Sequence, residues 1–136
     1  MDISKISIKD GVVSVSYSTA DGMQRKTLCD ERNPPHAAFV DAMRLLMPPV
    51  AETLCLSPEC ADRMALKSLA LSGSGADDNQ TVKISVLFGV QMLEHPATIA
   101  LPKIDCNDTQ HDLVAAIGSV VREAESYIRA IDMKAV

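Results

Sequence analysis

Aromatic side chains are scarce in this chain: among 136 residues there are two Phe, two Tyr and no Trp. The core must then be aliphatic, with seven Met filling irregular gaps. A surface of stacked aromatics for nucleic-acid bases is hard to build from such a set. Basic residues are outnumbered, with 13 Lys and Arg against 18 Asp and Glu and a net charge of −5. That balance argues against a general polyanion binder and makes duplex nucleic acid an unlikely partner, because neutralising phosphates takes clustered Lys and Arg. It leaves room for a local basic patch. No apolar run approaches the ~18 residues of a membrane span. The opening MDISKISIKDG lacks a basic stretch followed by an apolar one, so no secretory signal is expected. Four Cys without such a signal point to reduced thiols in a cytoplasm.

Catalytic signatures are missing too. No H-E-x-x-H, G-x-S-x-G or G-x-G-x-x-G pattern and no paired-carboxylate motif occurs. The segment SGSG, residues 72 to 75, is no phosphate loop, since no Lys-Ser/Thr follows and a strand pattern comes next. Asp77, Asp78 and Asn79 lack the spacing and closing Glu of a calcium loop. No cofactor is implied, and a non-enzymatic protein is the expectation.

What is present is patterning. From Thr81 to Leu93, TVKISVLFGVQML, every even position is apolar and the odd positions begin polar, which predicts a long strand with one face on a core. Ile6 and Ile8 alternate with polar residues, then Asp10-Gly11 intervenes, then Val13, Val15 and Tyr17 alternate with Ser14 and Ser16. A DG pair between two alternating runs predicts a hairpin, because its turn needs positive φ. A second DG at Asp21-Gly22 leads to a polar edge strand over Met23 to Leu28. Asn33 or Asp30 could then cap a helix, with Pro34 or Pro35 in its first turn. Phe39, Val40, Met43, Leu46, Met47, Val50, Ala51 and Leu54 recur at helical spacing, interrupted by Pro48-Pro49, which predicts a kink or two short helices. Ser57-Pro58-Glu59 starts a short helical turn to about Arg63. Strands are expected at Ala65 to Ser72 and Ala97 to Ile104. A closing helix carries Leu113, Ile117, Val120, Ala124, Tyr127 and Ile131 on one face, with Thr109 and Asp112 as its capping box. The result is one α+β domain over residues 1–136, a largely antiparallel sheet of about six strands in β3–α–β3–α order with helices on one face.

Three groups of residues are candidates for chemistry. Cys55 and Cys60 in CLSPEC have the spacing of a zinc half-site, but no second pair completes it, and core thiols at a helix end explain the spacing better. Arg25, Lys26, Arg32 and His36, beside the start of the first helix, form the one basic cluster near an anion-binding position. Asp30 and Glu31 in the same segment reduce its charge, so a solvated edge strand is the plainer reading. The free edge at Met23 to Leu28 and the apolar odd face at Leu87 and Leu93 are natural surfaces for a homo-oligomer.

The segments KISIKDGVVSVSYS, PHAAFVDAMRLLMPPVAETLCLSPECADRMALKSLALS and HPATIALP, with a terminal helix holding REAESYI, together resemble small proteins of uncharacterised function encoded in bacteriophages and prophages. The shared pieces are structural, and no functional residue carries over. The resemblance implies a phage or prophage accessory protein acting in the bacterial cytoplasm, with counter-defence as one such role. The function expected is therefore a non-enzymatic binding protein that sequesters a host factor or a small signalling molecule, such as a phosphate-bearing nucleotide. The alternatives are a replication or recombination accessory that touches single-stranded DNA, and an unrecognised enzyme or zinc protein.

Overall fold

The computed structural model describes residues 2–9, 11–18, 25–29, 32–72, 81–89, 94–105 and 111–134. The alternating segments form the strands they predict. Strand β1 (Asp2–Lys9) and strand β2 (Val12–Ser18) pair antiparallel, and the register sets Lys9 opposite Val12, leaving a two-residue connection. Gly11 in that connection has φ 79°, a conformation that costs glycine nothing. Strand β3 (Arg25–Cys29) pairs with β2 and lies at the edge of the sheet. The second DG, at Asp21-Gly22, lies outside the described residues.

Helix α1 (Ala37–Thr53) follows, then a 3-10 helix (Pro58–Arg63), strand β4 (Met64–Ser72), strand β5 (Thr81–Phe88), strands β6 (Ala97–Ala100) and β7 (Ile104–Asp105), and helix α2 (His111–Lys134). The sheet is seven-stranded and antiparallel, in the order β3-β2-β1-β4-β5-β6, with β7 also paired to β5. The expected six strands become seven, and the expected β3–α–β3–α order becomes β3–α–β4–α. The reason is local. Pro102 has no N–H to give a ladder, so the segment expected as one strand from Ala97 to Ile104 is interrupted at Leu101 to Lys103. Leu101 still donates its N–H to the Ile84 carbonyl at 2.9 Å, keeping both pieces on β5. The strand expected to reach Leu93 has its described portion end at Phe88; residues 90–93 lie outside the described set.

Both helices cover one face. Ile6, Val13, Val15, Tyr17, Leu66, Leu69, Val82, Ile84 and Val86 point to that side and share a core with Phe39, Leu46 and Val50 of α1 and Leu113, Val120 and Ile128 of α2. The described core contains no buried charged or polar residue. Two irregularities keep the apolar residues inward: the β1–β2 register shifts between Ile3 and Lys5, and the β4–β5 register between Leu66 and Ser68. A bulge of this kind turns the side-chain phase by one residue. The sheet is thus two local meanders, β1–β3 and β4–β7. They join along β1 and β4, where Lys5, Ile6 and Ser7 pair with Ala70, Leu69 and Ser68.

Helix α1 departs from expectation at its start, and it is not two short helices. Its N-cap is His36, without a side-chain capping bond, so neither Asn33 nor Asp30 is the cap, and Pro34 and Pro35 precede the helix rather than standing in its first turn. Instead, the Asn33 carbonyl accepts a hydrogen bond from the Tyr127 hydroxyl. Pro48 and Pro49 lie inside one continuous helix and do not split it. They remove the N–H partners of the Arg44 and Leu45 carbonyls, but Arg44, Leu45 and Pro48 are exposed, so water can serve the freed groups.

The helix closes with a Schellman motif: Leu56 N–H donates to the Ala51 carbonyl at 2.9 Å and Cys55 N–H to that of Glu52 at 3.0 Å. Cys55 takes the left-handed position at φ 59°, where glycine is usual. Its side chain is exposed and gains little from packing. Cys55→Gly is therefore expected to stabilise the fold by about 0.5–1 kcal/mol, the relief of left-handed strain exceeding glycine's entropy cost. Urea unfolding checks it, and a destabilised variant would mean that Cys55 makes a contact worth more than its backbone strain.

Candidate functional site

The face of the sheet opposite the helices has a composition of its own. Following the register from strand to strand gives a row of small residues, Cys29–Ser14–Ser7–Ser68–Ser85–Ala100, crossing six strands. Beside it runs a second row, Thr27–Ser16–Lys5–Ala70–Lys83. On the other side of the serine row stand Lys9 and Val12, then Ala65 and Leu87 with Thr98. Lys67, in the β4 bulge, points to this side as well and donates to Thr98 Oγ1 at 3.5 Å.

Flanking rows lie about 7 Å to either side of the central one, since two residues along a strand advance by that distance. Lysines therefore border a shallow band of hydroxyls on both sides. Lys5, Lys9, Lys67 and Lys83 are all exposed. Asp105, opposite Thr81 near one end, is the described acidic side chain on this face, and it has an interaction of its own. The hydroxyls of Ser16 and Thr27 meet at 3.1 Å. Those of Ser7, Ser14, Ser68 and Ser85 make no side-chain hydrogen bond with another described residue, leaving donors and acceptors turned outward. Serine is a poor choice for strand propensity alone, where Thr or Val packs better. Small side chains at these positions let a ligand approach the sheet closely.

Of the cluster expected from sequence, the structure places Lys26 and His36 on different elements with different neighbours. Lys26 stands opposite Tyr17, on the helix-covered side at the sheet edge, while Arg25 takes the next register position opposite Ser18. Arg32 is exposed in the turn before α1 and has an interaction of its own. His36 is engaged internally: its Nε2 lies 2.7 Å from Glu123 Oε2 of α2, and its ring lies 5.9 Å from that of Phe39 and 6.5 Å from that of Tyr127. Glu123 thus sets one of the protein's own carboxylates beside the N-cap of α1, the position an external anion would take. Both partners are about a third exposed, at 39% and 32% of their side chains. A double-mutant cycle on His36→Ala and Glu123→Gln should give a coupling of no more than about 1 kcal/mol, as screening by solvent requires. A larger value would mark the pair as a keystone of the helix packing.

Among the described residues, no group of three or more His, Cys, Asp or Glu is placed to hold a metal. Cys55 is exposed, and Cys60 Sγ lies 3.6 Å from Ser57 Oγ. Cys106, the SGSG loop beyond Ser72, Asp77 to Asn79 and the expected oligomer residue Leu93 lie outside the described residues. Leu87, the other residue of that apolar face, is half-buried beside Ala65 and Thr98.

No described helix is long and apolar enough to cross a membrane. No protein-family model, curated protein or solved structure matches the chain.

Proposed function

We propose that this is a non-enzymatic binding protein whose ligand carries phosphate groups and lies on the open face of the sheet. The observation behind this reading is the band of outward serine hydroxyls bordered by Lys5 and Lys83 on one side and Lys9 and Lys67 on the other. Hydroxyls and ammonium groups are the usual donors to phosphate oxygens. The shape of the band bears on the ligand's size. Six strands span about 24 Å at the usual inter-strand spacing, whereas a small molecule is held tightly by a pocket that encloses most of its surface. An open band suits an extended phosphate chain, and a single nucleic-acid strand is the ligand proposed.

With few aromatics in the chain, such binding would run through the backbone and be indifferent to base sequence. Capture of a free nucleotide is the narrower version, using one pair of lysines. Lys5 and Lys83, separated by Ala70, are about 10 Å apart at the backbone, within reach of one nucleotide's phosphates. The setting proposed with it is that of a phage or prophage accessory in the bacterial cytoplasm, supported by the resemblance of the hairpin and helix segments. Self-association through β3, the edge strand of the described sheet, belongs to the same proposal, and its mark would be sedimentation above 14.6 kDa at micromolar concentration.

Fluorescence anisotropy with a labelled oligothymidylate, competed by ATP or by unlabelled duplex, tests the reading. Binding that strengthens with oligonucleotide length and resists ATP supports the extended ligand. Equal competition by ATP, phosphate for phosphate, shifts the assignment to a nucleotide. No binding of either probe at low salt overturns the site.

A further inference from the structure

A second surface, on the opposite side of the molecule, has the reverse chemistry. A cleft of about 760 Å³ opens at the C-terminal end of α1, lined by Pro48, Pro49, Glu52, Cys55, Leu56, Pro58 and Asp112. Among the described residues its walls are apolar except for two carboxylates, and neither lysine nor arginine is among them.

The backbone adds a smaller negative potential, since the Cys55 and Leu56 N–H groups already satisfy the Glu52 and Ala51 carbonyls. A helix C-terminus carries roughly half a negative charge, which a basic side chain in the last turn usually offsets. The last turn of α1 has no basic residue, and Glu52 lies within it. Asp112 suits the first turn of α2, but Glu52 has no such account, because an acid at a helix C-terminus opposes the dipole.

The apolar side extends beyond the cleft. Leu45 is 69% exposed, the large hydrophobic residue most open to solvent among those described. It lies on the same stripe of α1 as Pro48, Pro49 and Glu52, at helical offsets of three, four and seven residues. Helix α1 therefore presents an apolar ridge leading into an electronegative, apolar-walled cleft.

We infer that this cleft is a docking site for a basic amphipathic peptide segment of a partner protein, a Lys or Arg entering between Glu52 and Asp112 while an adjacent apolar side chain packs on Leu45 and Pro48. An ammonium or guanidinium group is the charge complement of two carboxylates and a helix C-terminus together. An apolar anchor beside it uses the exposed leucine, as in peptides that lie along a hydrophobic helix face. Phosphate-bearing ligands are repelled here, so the site stands apart from the sheet face and does not depend on it.

The test uses the full chain and a labelled synthetic amphipathic helix of Leu and Lys, with a Leu and Glu peptide of the same pattern as its counterpart. The Leu/Lys peptide should bind, and the double variant Glu52→Gln/Asp112→Asn should weaken it at least tenfold. Glu94→Gln/Glu125→Gln, the same change of charge elsewhere, should change affinity less than twofold. Leu45→Ser should weaken binding at least fivefold with the thermal midpoint unchanged, as expected for so exposed a side chain. Three results would each overturn the assignment. They are equal losses in the two charge-changed variants, a silent Leu45→Ser, and equal binding of the Leu/Glu peptide.

Discussion

Phe39→Ala is expected to destabilise the protein by roughly 3–5 kcal/mol, the range for removing a large buried aromatic. Phe39 is fully buried, belongs to the core shared by α1, α2 and the sheet, and lies 5.6 Å ring to ring from Tyr127. Two losses combine there: the transfer energy of the ring, and a cavity at the junction of both helices that neither can close alone. The loss also removes the support against which Tyr127 and His36 pack. Against a total stability of about 5–15 kcal/mol, this is enough to leave the domain marginal. Leu45→Ala, six residues along the same helix, should stay within about 0.5 kcal/mol, because Leu45 is exposed and Ala favours helix. Urea unfolding of the two variants side by side measures the contrast. A loss below about 1.5 kcal/mol at Phe39 would mean that the two helices do not meet over that ring.

The second large effect concerns the sheet face. Replacing Lys5, Lys67 and Lys83 together with Gln should weaken oligothymidylate binding on the order of 10²-fold at about 50 mM salt, because each phosphate contact releases a counterion. The slope of log K against log salt should fall by about 0.7 for each lysine removed, roughly 2 in all. These lysines are exposed, so the variant should keep its fold. Lys26→Gln is the control: it lies opposite Tyr17 on the other side of the sheet and should leave the slope unaltered. A triple variant with the parental slope would remove this face from consideration as the binding surface.

Much of the fold is legible in the residues because periodicity reports burial. The alternation of Val13, Val15 and Tyr17 with serines, and of Val82, Ile84 and Val86 with Lys83 and Ser85, places each strand and its inner face correctly. The spacing from Leu113 to Ile128 does the same for α2. Departures arise where a local rule meets a tertiary condition. Two adjacent prolines predict a kink or two short helices, yet the helix stays in one piece, because the carbonyls they orphan lie on the solvent side of α1. Spacing alone says little about the expected anion cluster, because β3 sets Arg25 and Lys26 at successive register positions and His36 pairs with Glu123, 87 residues away.

The lysine-bordered band was harder to read for another reason. Its central row crosses from Ser7 to Ser68, and that pairing exists only once the two meanders join. Within β4 the bulge moves Ser68 out and Leu69 in, breaking the alternation that would have signalled the face. The available hint lay in the repeated Ser14, Ser16 and Ser18, and in Lys5, Ser7 and Lys9, which share their strands' outer side.

The join between β1 and β4 has a consequence for dynamics. The N-terminal hairpin and the β4–β5 pair each form from neighbouring segments of chain, but Ile6 and Leu69 must find each other across 62 intervening residues. Among the described residues, three registered pairs join β1 to β4, against seven between β1 and β2. Within the sheet the two meanders thus meet at one short seam, above the core they share with both helices, and the serine band runs straight across it. Any ligand lying along the band would hold one meander to the other. Bound ligand should then slow amide hydrogen exchange along the seam, in the segments around Ser7 and Ser68, more than at the β1–β2 turn. On this view the sheet acts as a clasp, and its occupant is the pin.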